Sequence, residues 1–180
     1  MALPRITSPH AKGNNRTQQV MLHVLLAAVP GILAMTWLFG IGTLINLLWA
    51  SACALGFEAA ILALRKRPVV FFLKDYSVLV TAVLLALALP PYSPWWLTLV
   101  ATGFAVILGK QLYGGLGQNP FNPAMLGYVV VLVSFPVEMT SWPAPHSVGM
   151  LEGLQQILGI AHLPDGWAQA TALDALKINK

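Results

Sequence analysis

Long apolar runs, separated by short polar or Gly/Pro-rich segments, dominate the 180-residue chain. An α-helix of about 20 residues, rising roughly 1.5 Å per residue, covers the roughly 30 Å hydrocarbon core of a bilayer. Two runs reach that length, residues 20–39 and 43–64, and the turn between them at residues 40–42 carries no charge. The pattern therefore predicts two full membrane-spanning helices joined by a tight turn.

Three shorter apolar runs follow, each bounded by charged, proline-rich or glycine-rich segments. They are residues 69–73 with 76–89, residues 95–108 and residues 124–135. The first of the three is interrupted by Lys74 and Asp75, so it crosses a bilayer only if Lys74 snorkels to the surface or the bilayer thins locally. With the two long runs, they predict an all-α integral membrane protein with about five transmembrane helices, some short or broken.

The composition agrees with a membrane protein, because 57% of the residues are hydrophobic and only 9% are charged, whereas a soluble domain carries about a quarter charged residues. The net charge of +4 would suggest nucleic acid in a soluble protein. Here the basic residues lie beside apolar runs, where membrane topology explains them better. We therefore expect a lipid bilayer and no nucleic acid as partner. The single cysteine, Cys53, and the irregular histidine spacing predict no disulfide within the chain and no metal site.

Lysine and arginine are concentrated on one side of the predicted helices. That side contains Arg5, Lys12, Arg16, Arg65, Lys66, Arg67, Lys74 and Lys110. The turns on the opposite side, residues 40–42 and 90–94, contain none. Because cytoplasmic loops carry the excess of Lys and Arg, residues 1–19 are predicted as a cytoplasmic basic arm, 20–136 as the transmembrane domain and 137–180 as a segment outside the cytoplasm. An aromatic belt at that outer face would contain Trp37, Trp95, Trp96 and Trp142.

A Gly/Pro/Asn-rich segment, KQLYGGLGQNPFNPAM at residues 110–125, connects the last two apolar runs. Its glycines and prolines prevent a continuous helix, and the freed backbone groups must bond inside protein or line a cavity if they lie at membrane depth. Gln118, Asn119 and Asn122 are then candidate ligand-binding residues near the bilayer midplane. The alternative is an ordinary cytoplasmic loop, with Asn122 capping a helix that begins at Pro123.

Glu58 is an acidic residue well inside an apolar run, where an ionised carboxylate must be paired, protonated or in contact with water. One hypothesis is an ion or proton relay; the other is a carboxylate that reaches back to Arg65 or Lys74 near the inner surface. Lys74 and Asp75 are predicted to form a local interfacial charge pair; the alternative is that Asp75 faces a polar pathway. Lys110 is expected in the loop after the fourth run.

Two features lie in the polar carboxyl-terminal region. Residues 148–160 place Leu151, Leu154, Ile157 and Leu158 at helical spacing, which predicts an amphipathic helix on the surface or against a neighbour. Residues 165–174, DGWAQATALD, combine a turn pair with small residues around one hydroxyl, that of Thr171.

Four segments in order along the chain carry a family resemblance: MLHVLLAAVPG (21–31), KQLYGGLGQNPFNPAM (110–125), SFPVEMTSW (134–142) and DGWAQATALD (165–174). They resemble the family that contains the D subunits of the Rnf (Rsx) electron-transport complex and the B subunits of the sodium-pumping NADH:quinone oxidoreductase. The flavin motif of the latter usually reads Ser-Gly-Ala-Thr, whereas this chain has Ala168-Gln169-Ala170-Thr171, which is similar to the Rnf branch.

The resemblance implies that Thr171 Oγ1 carries FMN through a phosphoester bond, attached outside the cytoplasm by a flavin transferase, with Asp165 and Gly166 as recognition and turn residues. It also implies a second, noncovalent flavin, riboflavin, which we expect near residues 118–122. Implied partners are the iron-sulfur, flavin and membrane subunits of an Rnf/Rsx complex in a bacterial inner membrane. That complex moves electrons between ferredoxin and NAD and couples them to Na⁺ or H⁺ movement.

Members of that family are about twice as long, with roughly ten spans in two related halves, so the chain is expected to correspond to the amino-terminal half. Such a half is a subunit fragment with no catalytic residue of its own rather than a complete enzyme. Two rival hypotheses stay open: half of a solute or ion transporter or channel without flavin, and a structural membrane anchor.

Overall fold

The computed structural model describes residues 17–114 and 119–160, which are largely helical and include no β-strand. The helices in these residues are α1 (Thr17–Phe39), α2 (Gly42–Leu64), α3 (Val69–Leu73), α4 (Ser77–Ala88), α5 (Trp95–Gly103), α6 (Pro123–Ser134), α7 (Pro136–Thr140) and α8 (Met150–Leu158). A π-helical segment, Phe104–Gln111, continues α5 without a break. The all-helical class predicted from the sequence is confirmed for this part of the chain.

The two long apolar runs form α1 and α2, with ends close to those predicted. These are the two described helices that are long and apolar enough to cross a membrane. Gly40 lies in the turn between them at φ +77°, a left-handed conformation that glycine adopts without a steric penalty. No residue of α1 is buried, and a helix that is apolar all round but not covered by protein suits a hydrocarbon environment.

The interrupted third run is two helices, α3 and α4, separated by a turn. Tyr76 lies in that turn at φ +59°, so the backbone cannot continue as one helix. Asp75 Oδ1 accepts hydrogen bonds from the Ser77 backbone nitrogen (2.8 Å) and the Ser77 hydroxyl (2.6 Å). The predicted Lys74–Asp75 charge pair is therefore wrong, because Asp75 orders the first turn of α4 instead.

Contacts at both ends show that the helices alternate in direction. At one end, the Tyr92 hydroxyl, between α4 and α5, donates to Phe39 O (2.6 Å) at the end of α1. At the other end, the Arg65 guanidinium after α2 donates to Gln111 O (2.7 Å) at the end of the π-helical segment. Consequently α2 runs parallel to α5 and its π-helical continuation, and antiparallel to α4.

Small residues let the central helices approach closely. One buried cluster contains Leu85, Leu89, Leu97, Ala101, Ala105, Ala124, Val131 and Met139. A second contains Ala50, Ala54, Val78, Ala82, Ala86 and Val106. Four of the six residues in the second cluster are alanine. Such small residues are typical of helix packing inside membranes, where close van der Waals contact replaces the hydrophobic driving force.

The predicted belt tryptophans lie at one end of the bundle, beside other aromatic rings. Trp37 packs edge-on against His146 with ring centroids 5.4 Å apart, and Trp96 packs against Phe135 at 5.0 Å. Trp142 lies 5.7 Å from Phe39. The carboxyl ends of α1 and α6 and the amino end of α5 therefore share one aromatic-rich face.

The predicted amphipathic segment forms α8, which packs on this aromatic end through Gly153 and Ile157. The Tyr92 ring lies between two glycines: a Cβ on Gly42 would lie 2.6 Å from Tyr92 Cδ1, and a Cβ on Gly153 would lie 2.7 Å from the same atom. Burial raises the pKa of the Tyr92 phenol, which keeps the hydroxyl a donor to Phe39 O. Tyr92 thus fixes α8 to the turn between α1 and α2.

Substituting alanine at two helical glycines is expected to change stability in opposite directions. A Cβ on Gly127 of α6 would overlap the Ala101 carbonyl oxygen of α5 and lie 2.9 Å from Ala105 Cβ, so Gly127→Ala should destabilise the protein by about 1–3 kcal/mol through overpacking. Gly56 of α2 has open space at its Cβ position, so Gly56→Ala should stabilise by up to about 1 kcal/mol through helix propensity. Unfolding in mixed micelles with increasing SDS measures both variants. Equal effects would contradict the close α5–α6 approach.

Candidate functional site

A buried ion pair lies between α2 and the π-helical segment. Lys110 Nζ lies 2.6 Å from Glu58 Oε1 and 2.8 Å from Glu58 Oε2. Only 1% of Glu58 and 2% of Lys110 are exposed. Two unlike charges at this depth stabilise one another only if the remaining hydrogen-bonding capacity is also filled.

The surrounding polar groups fill that capacity. The Lys110 ammonium also donates to Ser77 Oγ at 2.7 Å, so each of its three hydrogens has an acceptor. The Gln111 side-chain amide donates to Glu58 Oε1 at 2.9 Å. The result is a network in which α2 and the start of α4 each contribute one side chain and the π-helical segment contributes two.

Two consecutive residues of the π-helical segment, Lys110 and Gln111, both reach this network. In an α-helix, adjacent residues point about 100° apart, whereas a π-helix widens the turn through i→i+5 hydrogen bonds. Leu112 N donates to Ile107 O at 2.9 Å in that pattern, and both Lys110 and Gln111 are buried. Single π-helical turns occur frequently at functional sites.

Two sequence-based predictions about these charges are wrong. Glu58 does not pair with Arg65 or Lys74; its partner is Lys110, and the Arg65 guanidinium donates to the Gln111 carbonyl. The ion or proton relay at Glu58 stays a hypothesis. Lys110 was expected in a cytoplasmic loop, but it is inside the bundle. The physical reason is that the Glu58 carboxylate neutralises the ammonium, so Lys110 does not need water.

A cavity of about 380 Å³ borders this network. Its residues come from α1, α4, the π-helical segment, the segment before α6 and the first residue of α6. Polar ones are Ser77, Thr81, Lys110, Asn119 and Asn122; apolar ones are Met21, Val80, Leu84, Pro120, Phe121 and Pro123. Cavities of roughly 300–1,000 Å³ with apolar walls and a few convergent polar groups are typical small-molecule sites.

The structure confirms one prediction for the Asn-rich segment, the helix cap, and the ligand-binding interpretation stays a prediction. Asn122 Oδ1 accepts a hydrogen bond from Ala124 N at 3.0 Å, and Pro123 is the first residue of α6, which confirms the predicted helix cap. Asn119 and Asn122 nevertheless line the cavity. The structure therefore brings these two candidate residues together beside Ser77 and Thr81, which sequence reasoning did not select.

The other candidate residues are Gln118, Asp165, Gly166 and Thr171, and they lie outside the described residues. Neither the flavin attachment motif nor its surroundings is therefore described by the structure. Their assignment remains a prediction from the family resemblance.

Comparison with known proteins identifies the family. The model of the NQR2, RnfD, RnfE family matches residues 5–180. A protein of Ectopseudomonas mendocina, named as the D subunit of an ion-translocating oxidoreductase complex, is 82% identical over 180 residues, covering 100% of this chain and 52% of that protein. Proteins with the same name from Pseudomonas aeruginosa and Cellvibrio japonicus are 68% and 53% identical over the whole chain, which covers 53% and 52% of their lengths.

The chain spans about half the length of the curated relatives it matches. The similarity nonetheless extends across the bundle, the Asn-rich segment and the carboxyl-terminal motif rather than one local region. On this evidence, the chain belongs to the NQR2, RnfD, RnfE family.

Proposed function

We propose that the chain is part of a membrane subunit of an ion-translocating oxidoreductase complex of the Rnf/Rsx type, which relays electrons through FMN bound covalently to Thr171 and coupled to Na⁺ or H⁺ movement. The observation that carries the proposal is the 82% identity, over the whole chain, to a protein named as the D subunit of such a complex. Its partners would be the iron-sulfur, flavin and membrane subunits of that complex, and a flavin transferase during maturation.

The proposed topology has five crossings in a bacterial inner membrane: α1, α2, α3 with α4, α5 with its π-helical continuation, and α6. The alternating directions of these helices support it. Residues 1–19 would be the cytoplasmic arm, 20–136 the transmembrane domain, and 137–180 a periplasmic segment carrying the flavin motif. Lys110 lies inside the bundle and no longer counts as a loop charge. The Lys/Arg asymmetry between the two sides nevertheless remains, because the end opposite the aromatic-rich face still carries Arg65, Lys66, Arg67 and Lys74.

Cysteine labelling tests this orientation. In a Cys53→Ala background, Ser147→Cys should react with a membrane-impermeant maleimide in intact spheroplasts, because exposed Ser147 lies in the proposed periplasmic segment. Lys66→Cys, at an exposed position on the opposite end, is the matched control and should react only after permeabilisation. The reverse pattern would contradict the proposed topology.

The cavity supports the further proposal of a noncovalent flavin, riboflavin, near residues 118–122. An isoalloxazine presents carbonyl and ring-nitrogen groups on a flat apolar system. The amides of Asn119 and Asn122 and the Thr81 hydroxyl supply donors and acceptors, while Phe121 and Leu84 supply apolar walls. When bound, a flavin supplies one-electron chemistry, and the protein supplies its placement and surroundings.

The mass of the intact chain tests the covalent assignment. Protein matured with its flavin transferase should exceed the sequence mass by one FMN less one water, as a phosphoester requires. Fragmentation should place the added mass on the peptide that contains Asp165, Gly166 and Thr171. An unmodified mass in fully matured protein would contradict the proposal.

The same cavity favours a second candidate, half of a solute or ion transporter that contains no flavin. A cavity with convergent polar groups beside an interrupted helix is the usual place for such a site. This candidate predicts an unmodified chain, together with substrate transport that depends on Asn119 and Asn122. The mass measurement therefore separates the two functions.

A further inference from the structure

The apolar face of α8 is wider than the protein surface that covers it. Around the helix, Gly153, Ile157, Met150, Leu154, Leu158 and Leu151 occupy one continuous arc. Only Gly153 and Ile157 of these six are buried. Met150, Leu151 and Leu158 are 62%, 69% and 57% exposed. A large part of the apolar arc is thus left exposed by the residues that the structure describes.

The opposite side of α8 is polar. Glu152, Gln155 and Gln156 occupy the remaining arc, and Glu152 is exposed. A short helix with an apolar face wider than its packing contact and a polar face opposite has the form of helices that lie in a membrane–water interface. The affinity of such helices for lipid comes from the apolar area they bury and from attraction of Lys and Arg to anionic lipid. Since α8 contains no Lys or Arg, its affinity would depend on the apolar area alone.

The position of α8 indicates that lipid contacts this apolar face. Tyr92 holds Gly153 of α8 against Gly42, the first residue of α2. In the proposed topology Gly42 is the first residue of a membrane-spanning helix. The open face of α8 therefore lies at the level where that helix leaves the hydrocarbon, within reach of lipid.

The aromatic rings at this end of the bundle give an independent indication of depth. The rings of Trp37, Trp95, Trp96 and Trp142 take part in aromatic contacts there, and tryptophan is enriched at membrane interfaces. A helix attached at the same level lies at the boundary between acyl chains and water. Its apolar face can contact the acyl chains there, and its polar face can contact water.

We propose that α8 is an interfacial helix whose face of Met150, Leu151 and Leu158 inserts into the outer leaflet of the bilayer. This inference rests on the proposed topology. Its consequence concerns Thr171: the chain between Leu158 and Thr171 reaches at most about 45 Å when fully extended. An inserted α8 therefore keeps the proposed flavin attachment residue within that distance of the membrane surface.

Nitroxide labels can test the insertion. In a Cys53→Ala background, Leu151→Cys and Glu152→Cys are labelled in protein purified with its associated subunits and reconstituted into vesicles of phosphatidylethanolamine and phosphatidylglycerol. Glu152 is the matched control, because it is exposed on the polar side of the same helix. The ratio of collisions with oxygen to collisions with a water-soluble nickel chelate should be several-fold higher at position 151 than at 152.

Two results would overturn the inserted helix. Free access of nickel to position 151 would place that face in water, and access of neither reagent would show that protein covers it. A label at Leu26→Cys, on the exposed surface of α1, separates this failure from a failure of the topology. Nickel access at both 151 and 26 would overturn the membrane placement itself, whereas nickel access at 151 alone would overturn only the insertion of α8.

Discussion

Lys110→Met is expected to lower the free energy of unfolding by about 3–5 kcal/mol, because removing one partner of a buried ion pair leaves the other charge uncompensated. The Glu58 carboxylate would keep only the hydrogen bond from the Gln111 amide. Ser77 Oγ would lose the ammonium that now lies 2.7 Å away. The variant should therefore appear as a lower SDS midpoint in mixed micelles and a lower yield of monodisperse protein.

A double variant distinguishes the loss of the ion pair from a general loss of packing. Glu58→Gln/Lys110→Met carries no buried charge, so its loss of stability should be smaller than the sum of the two single losses, with a coupling of roughly 0.5–3 kcal/mol. Lys74→Met is the matched control, because Lys74 is exposed, and it should change stability by no more than about 0.5 kcal/mol. Additive losses at Glu58 and Lys110 would show that the pair does not couple α2 to the π-helical segment.

The two long helices could be predicted from the sequence because the length of an apolar run can be compared directly with the thickness of the bilayer core. Residues 20–39 and 43–64 required no knowledge of tertiary contacts, and α1 and α2 follow them closely. The third run shows the limit of that argument. Lys74 and Asp75 signalled an interruption, but the left-handed turn at Tyr76 and the bonding of Asp75 to Ser77 depend on local backbone geometry.

The Glu58–Lys110 pair was missed because sequence reasoning assigned each charge to its nearest neighbours along the chain. Glu58 and Lys110 lie at similar distances from the starts of α2 and α5. Since these helices run parallel, the two residues reach the same depth. A search for opposite charges at equal depth in different apolar runs would have found the pair. Parallel packing of α2 and α5, however, is a tertiary feature that the pattern does not contain.

The cavity was predictable only in part, for the same reason. Asn119 and Asn122 drew attention because glycine and proline interrupt the helix around them. Met21 and Thr81 also line the cavity, from distant positions in α1 and α4. Nothing in the sequence around either residue distinguishes it from other residues of the apolar runs. Likewise, helical spacing predicted α8, but Gly153 gave no signal that it packs against Tyr92.

Thr171→Ala is expected to abolish covalent flavin completely, since alanine has no oxygen with which to form the phosphoester. Protein coexpressed with its flavin transferase should show in-gel flavin fluorescence after denaturation, and the alanine variant should show none. Noncovalent flavin released by acid should remain in that variant, because Asn119, Asn122 and Thr81 are unchanged at the cavity.

Two further variants decide whether the lost fluorescence reports the attachment oxygen. Thr171→Ser restores a hydroxyl at the same position, so some covalent fluorescence should return. Thr140→Ala removes an exposed hydroxyl that donates to Pro136 O at 2.8 Å, and it should leave the signal unchanged. Fluorescence that persists in Thr171→Ala would place the flavin on another residue, and the electron relay would then require a different attachment site. Loss of fluorescence in Thr140→Ala as well would indicate failed maturation of the chain rather than loss of the attachment oxygen.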